Sequence, residues 1–128
     1  MIFIGADPRG VELKQNIKTY LSELGHDYQD MGALEYDKND DFVDFADKGA
    51  RAVAQNPDTD RGILICRSGV GMEVVANKVK NIRAAVAFDA GQVLLARNDD
   101  NINIIALASD FLSLAQAKEI VDTFLDTK

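Results

Sequence analysis

Gly62-Ile63-Leu64-Ile65-Cys66-Arg67-Ser68-Gly69-Val70-Gly71-Met72 is an apolar run that ends on the chain's one cysteine and passes directly into a glycine turn. A short apolar run bounded by turn residues reads as a buried strand. A strand that opens through glycines into a helix turns several backbone N–H groups toward one point, where helix polarity also favours a thiolate. The segment therefore carries both a candidate base, Cys66, and a candidate anion hole.

Outward from this segment, short β-type runs alternate with longer helical patterns, which predicts repeated βα units and a parallel sheet. Strands are expected at Ile2 to Gly5, Asp27 to Asp30, Gly62 to Cys66, Arg83 to Ala87 and Ile104 to Ala108. Apolar residues at helical spacing give a first helix through Val11, Leu13, Ile17, Tyr20, Leu21 and Leu24, stopped by Gly25, and a second through Phe42, Phe45, Ala46, Ala50, Val53 and Ala54. A third runs from the glycine turn to Val79, a fourth from Ala90 to Arg97, and the last from Leu112 to Leu125. Residues 35–41 read as a polar loop and Asn56-Pro57-Asp58 as a turn. The expected fold is α/β: a three-layer α/β/α sandwich around a five-stranded, parallel, doubly wound (Rossmann-like) sheet, with ligands beyond the carboxyl ends of the strands.

Composition bounds the function. With 128 residues, 47% hydrophobic and 27% charged, the chain is expected to form one domain over residues 1–128. A net charge of −7 argues against nucleic acid, whose binders need a basic face. The apolar runs are far shorter than the ~20 residues of a membrane span, and the strand-like Met1-Ile2-Phe3-Ile4 is unlike a signal segment, so a cytoplasmic protein with no membrane partner is expected. One cysteine and one histidine, His26, give neither an internal disulfide nor a Cys/His metal site. The partner left is a small molecule.

If the first and third strands are neighbours, Asp7 in Gly5-Ala6-Asp7-Pro8-Arg9-Gly10 faces the same crevice as Cys66. Plainer readings stand beside each candidate. Cys66 serves equally as a small buried hydrophobe, and the glycines as a tight turn. Arg67 is open to an ion pair with Asp7 or Asp99, Asp99 to being a solvated carboxylate, and His26 to a surface or capping role. Phe42 and Phe45 read as core.

Together, Gly5 to Lys14, Gly62 to Gly71, Ala76-Asn77-Lys78, Ile82-Arg83-Ala84 and Arg97-Asn98-Asp99-Asp100-Asn101-Ile102-Asn103 resemble the ribose-5-phosphate isomerase type B and galactose-6-phosphate isomerase family. The resemblance covers nearly the whole chain. It implies interconversion of an aldose and a ketose phosphate through a cis-enediolate, with no metal and no cofactor. By the same resemblance Cys66 is the base, Ser68 assists it, Asp7 holds substrate hydroxyls, and the amides of Gly69, Val70, Gly71 and Met72 stabilise the enediolate. It further implies a homodimer with shared active sites, in which Asp99 and Asp100 occupy the place of a ring-opening His-Asn pair. Apolar candidates for that interface are Met72, Val93, Leu94, Phe111 and Leu112, which read equally as core.

The chain departs from the family where anions bind. Pro8 replaces a histidine, Asp110 an arginine, Phe42 a tyrosine, and the sequence ends at Lys128 without the family's basic tail. Carboxylates beside a phosphate dianion repel it. Arg9 and Arg67, the latter at a position commonly glycine, are candidates to rebuild the anion site. The leading expectation is an aldose–ketose isomerase, with three alternatives: an isomerase of an unphosphorylated sugar, a noncatalytic subunit, and a small-molecule binding module.

Overall fold

The computed structural model describes residues 1–32 and 42–128, and the side chain of Phe42 is not among the described groups. The polar loop expected over residues 35–41 and a core role for Phe42 therefore lie outside the described residues. Among the described residues five strands, β1 (Ile2–Ala6), β2 (Tyr28–Asp30), β3 (Arg61–Cys66), β4 (Ala84–Val86) and β5 (Ile104–Ala108), form one parallel sheet in the order β2-β1-β3-β5-β4. The α-helices described are α1 (Val11–Glu23), α2 (Phe42–Ala54), α3 (Val70–Ala76), α4 (Ala90–Asp100) and α5 (Leu114–Asp126), which connect and cover the strands.

Alternation along β3 divides the core. Ile63 and Ile65 pack with Ile17, Leu21, Val93, Ile120 and Phe124 beneath α1, α4 and α5, whereas Leu64 and Cys66 pack with Ala46, Val53 and Met72 beneath α2 and α3. Side chains of a strand point alternately to the two faces, so a strand buried on both must be apolar throughout, as Ile63 to Cys66 are. The expected three-layer, doubly wound architecture is the one observed.

The helix ends differ from expectation for local reasons. α3 stops at Ala76 rather than Val79, because Asn77 leaves the helix and its carboxamide pairs with both Ala84 N–H and Ala84 C=O, at 2.8 and 2.9 Å. α4 continues past Arg97 to Asp100, ending at Asn101 in the left-handed region (φ 51°). α5 begins at Leu114 rather than Leu112, since Ser113 and Gln116 form a reciprocal capping box. Gly25 stops α1 as expected, with φ 80°. His26 is half-buried there, its amide bonded to Leu21 C=O. Phe45 is half-buried against the core, as read. Among the apolar interface candidates, Met72 and Val93 are fully buried and Leu112 packs on the core, which leaves Leu94 and Phe111 exposed.

Side chains also close the β4 edge. Besides the Asn77 pair, Glu73 accepts from Val86 N–H, while Gln92 donates to Val86 C=O and accepts from Phe88 N–H. An open edge is a template for another strand, and here its outward groups are already bonded.

At the other edge, Asp30 binds Lys14 at 2.7 Å and Lys18 at 2.9 Å, with Lys14 fully buried. Burial alone raises the Asp30 pKa, but the two ammonium groups and the Gly32 amide outweigh it and hold the pKa below the usual carboxylate value. The folded state thus binds this proton more weakly than the unfolded state. Its stabilisation is present above about pH 3.8, the unfolded value, and is lost as pH falls through the lower folded value. Asp30→Asn is therefore expected to be less stable than the parent at pH 7, and the gap in urea midpoint should close below pH 3.8. A pH-independent gap would place the effect in packing rather than charge.

Candidate active site

The register aligns Ala6 with Ile65 and Cys66 with Ala108, so β1, β3 and β5 end side by side. The ladder continues past the strands through Asp7 N–H to Ile65 C=O (3.0 Å), Ser109 N–H to Cys66 C=O (2.8 Å) and Asp110 N–H to Arg67 C=O (3.1 Å). The helices following β1 and β3 pack on opposite faces of the sheet. Their loops diverge, which opens a crevice at this switch point.

Cys66 lies at the crevice floor, 6% exposed, and its Sγ accepts a hydrogen bond from Gly69 N–H at 3.1 Å. Gly69 has φ 79°, and a Cβ there would sit 3.2 Å from Ala106 C=O, so the turn requires glycine. Val70 N–H is bonded to Ser68 Oγ at 3.3 Å. The amides of Gly71 and Met72 have no hydrogen-bond partner among the described residues. The anion hole expected over four amides thus resolves into two held by side chains and two open to a ligand. Met72 presents only its backbone to the crevice, since its side chain is core. Ser68 is exposed and engages Val70 rather than the thiol.

Asp7 enters from the loop after β1. Its Oδ1 accepts from Gly10 N–H at 2.9 Å and caps the short 3-10 turn Pro8–Gly10, in which Pro8 needs no donor. Burial raises the Asp7 pKa above the usual carboxylate value, and the Gly10 and Arg9 amides and the Arg9 guanidinium offset only part of the rise. A raised carboxylate costs the folded state stability as pH climbs from about 3.8 through the folded value. Asp7→Asn keeps an acceptor for Gly10. It is expected to match or exceed the parent's thermal midpoint at pH 7 while kcat/KM falls about 10–100-fold, the worth of one hydrogen bond to a charged group. Unchanged kcat/KM would remove Asp7 from substrate binding.

Arg67 pairs with neither Asp7 nor Asp99: its Nε donates to Asp110 Oδ2 at 2.7 Å. Arg9 makes no ion pair among the described residues and lines a cleft of about 360 Å³ with Glu12, Asn16, Ser109 and Asp110. Ser109, Asn16 and the Asp110 partnership escaped the sequence reading. No local pattern signals them, because only the parallel register sets the residues after Ala108 against those after Cys66.

Asp99 and Asp100 are not brought to this crevice. They end α4, where Arg83 Nε donates to Asp100 C=O, just before β5 begins. Cys66 is level with the far end of β5, roughly 13 Å of strand away. A separate cleft of about 700 Å³ runs along α4 and the β4 edge, lined by Asn77, Phe88, Gln92, Leu95 and Asp100. Among the described residues no group of three His, Cys, Asp or Glu is arranged to hold a metal, and no helix is long and apolar enough to cross a membrane.

Residues 2–128 match the family model for Ribose/Galactose Isomerase. The chain is 42% identical over 124 residues to a probable ribose-5-phosphate isomerase B of Mycoplasma genitalium, covering 97% of this chain and 82% of that one. It is 37% identical over 126 residues to ribose-5-phosphate isomerase B of Mycobacterium tuberculosis, covering 98% and 77%. The crystal structure of the Mycoplasma genitalium ribose-5-phosphate isomerase B with bound ribulose-5-phosphate superposes with a TM-score of 0.96 at 41% identity, covering 99% of this chain and 84% of that one. The enzyme from Clostridium thermocellum gives 0.93 at 38% identity, covering 99% and 84%. An aldose–ketose isomerase on an α/β sandwich is thus the class that fold and relatives define. Within that class, the chain belongs to the Ribose/Galactose Isomerase family.

Proposed function

We propose that this chain interconverts ribose 5-phosphate and ribulose 5-phosphate, with Cys66 as the base. The observation that carries the reading is a buried sulfur held by Gly69 N–H beside the unbonded amides of Gly71 and Met72. Isomerisation needs a base over C1 and C2 and donors where charge develops on oxygen in the transition state. Cys66 as thiolate takes the proton from C2 of the open-chain aldose, and the electron pair moves to give a cis-enediolate with its charge on O1. The Gly71 and Met72 amides receive that oxygen. O1 gains a proton, O2 loses one to become the ketone, and Cys66 returns its proton to C1. Asp7 anchors substrate hydroxyls, and Ser68, by holding Val70, fixes the loop that carries the donors. Arg9 and Arg67 take the anionic end.

Ring opening falls to Asp99, with Asp100 beside it, from a second copy of the chain, because both lie at the wrong end of their own sheet. The cleft along α4 fits that partner: Phe88 and Leu95 are 63% and 61% exposed beside it, and the β4 edge beneath is already bonded. Such a face is covered by side chains, not by an added strand. The similarity to a protein crystallised with ribulose-5-phosphate supports the choice of sugar.

The test is deuterium incorporation from D2O, followed by NMR, over pentoses and hexoses with and without phosphate. Deuterium at C1 or C2 of ribose and ribulose 5-phosphates is the expected result. Exchange only with unphosphorylated sugars would replace the substrate class, and none with any sugar would favour a noncatalytic subunit.

A further inference from the structure

We propose that Asp110 is a positioning residue, holding Arg67 by its Nε so that the two terminal guanidinium nitrogens stay free for the anionic end of the substrate. The proposal rests on the isomerase reading above.

Three bonds tie the loop after β3 to the loop after β5. Ser109 N–H meets Cys66 C=O, Asp110 N–H meets Arg67 C=O, and the Arg67 side chain returns to the Asp110 carboxylate at 2.7 Å. Asp110 thus grips Arg67 by main chain and side chain together, which fixes where the guanidinium stands. Arginine presents five donors in a rigid plane, and Nε is the only nitrogen of Arg67 with a bonded partner among the described residues. The fork formed by the other two nitrogens suits two oxygens of one phosphate. The pair is 59% and 44% exposed, and exposed pairs add little to stability, so the fold does not need it.

Two neighbours point the same way. Ser109 Oγ is buried without a hydrogen-bond partner among the described residues and borders the cleft that Arg9 lines. A buried hydroxyl left unbonded is costly, so Ser109 gains by turning its Oγ toward an oxyanion in that cleft. Asp7 and Asp110 act electrostatically on Arg67, and Arg9 acts on Asp7, so both cations share the field of the crevice.

A competing account gives the opposite sign. If Asp110 merely repels a bound dianion, removing its charge tightens binding. Steady-state kinetics with ribose 5-phosphate and an NMR titration with inorganic phosphate, on wild type, Asp110→Ala, Asp110→Asn, Arg67→Ala and Arg67→Ala/Asp110→Ala, decide between them. Asp110→Ala should raise KM about 10-fold with kcat within about 2-fold, as loss of one oriented ionic contact would. Asp110→Asn keeps an oxygen for Nε and should stay within about 3-fold of wild type, and the double variant should bind no worse than Arg67→Ala alone. Thermal midpoints should not move. An unchanged or lower KM in Asp110→Ala, or additive losses in the double variant, would overturn the proposal. A wild type inert on every sugar phosphate would sink the isomerase reading instead. The phosphate titration then still decides on Asp110: about 10-fold weaker binding in Asp110→Ala supports positioning, and equal, tighter or undetectable wild-type binding overturns it.

Discussion

Cys66→Ala is expected to fold as the parent does and to lose about 10³-fold in kcat on ribose 5-phosphate, with no deuterium entering C1 or C2. The substitution removes one atom from the α2–α3 side of the core and leaves Gly69 N–H without its acceptor, which costs on the order of 1 kcal/mol. The domain should survive that loss, so circular dichroism and the thermal midpoint separate a missing base from a missing fold. Cys66→Ser refines the result: it restores an acceptor for Gly69 but supplies a hydroxyl in place of a thiol, so loop geometry returns without the activity. An alanine variant with parental turnover would move the base to another residue.

The largest stability effect is expected at Gly10. A Cβ there would lie 2.7 Å from Ile65 Cγ2, 2.9 Å from Ile65 C=O and 3.1 Å from Ala6 Cβ. None of these can move aside cheaply. Ile65 C=O is backbone in a central strand and already accepts from Asp7 N–H, and Ala6 and Ile65 are paired in register. Gly10→Ala should therefore cost about 3 kcal/mol, the upper range for overpacking. For a domain of this size that is roughly 10 °C in thermal midpoint. Because Gly10 N–H bonds to Asp7 Oδ1, relief of the clash displaces Asp7 as well, and kcat/KM should fall in the protein that remains folded. A midpoint unchanged by the substitution would mean that the loop after β1 is looser than its contacts require.

The two positions differ in how legible they were. Cys66 stood out in the sequence because an apolar run ended on it and glycines followed. Gly10 did not, since its role comes from Ile65, which is distant in sequence and adjacent only because β1 and β3 pair. The same contrast runs through the site. Asp7, Cys66 and the glycine loop were readable as ends of strands, where doubly wound sheets bind ligands. The partner of Arg67 was not: the sequence offers Asp7 or Asp99, and Asp110 comes within reach only because the strand beside β3 is β5.

Helix ends show the limit from the other side. Apolar spacing carried α3 on to Val79, but Asn77 finds a better use for its carboxamide on the β4 edge. Polar residues after Arg97 offer no periodicity, so the pattern ends α4 there, although Asn98, Asp99 and Asp100 continue the turn. That extension places both aspartates just before β5, at the end of the sheet opposite Cys66.

Periodicity and glycine placement are local properties of the chain, so residue order alone carries the α/β layering, the strand that bears the cysteine and the turn that bears the open amides. Which amides remain open, where Asp99 and Asp100 lie, and which carboxylate holds Arg67 follow from the folded molecule. Each of these depends on strand order and register, which bring together residues that no local pattern connects.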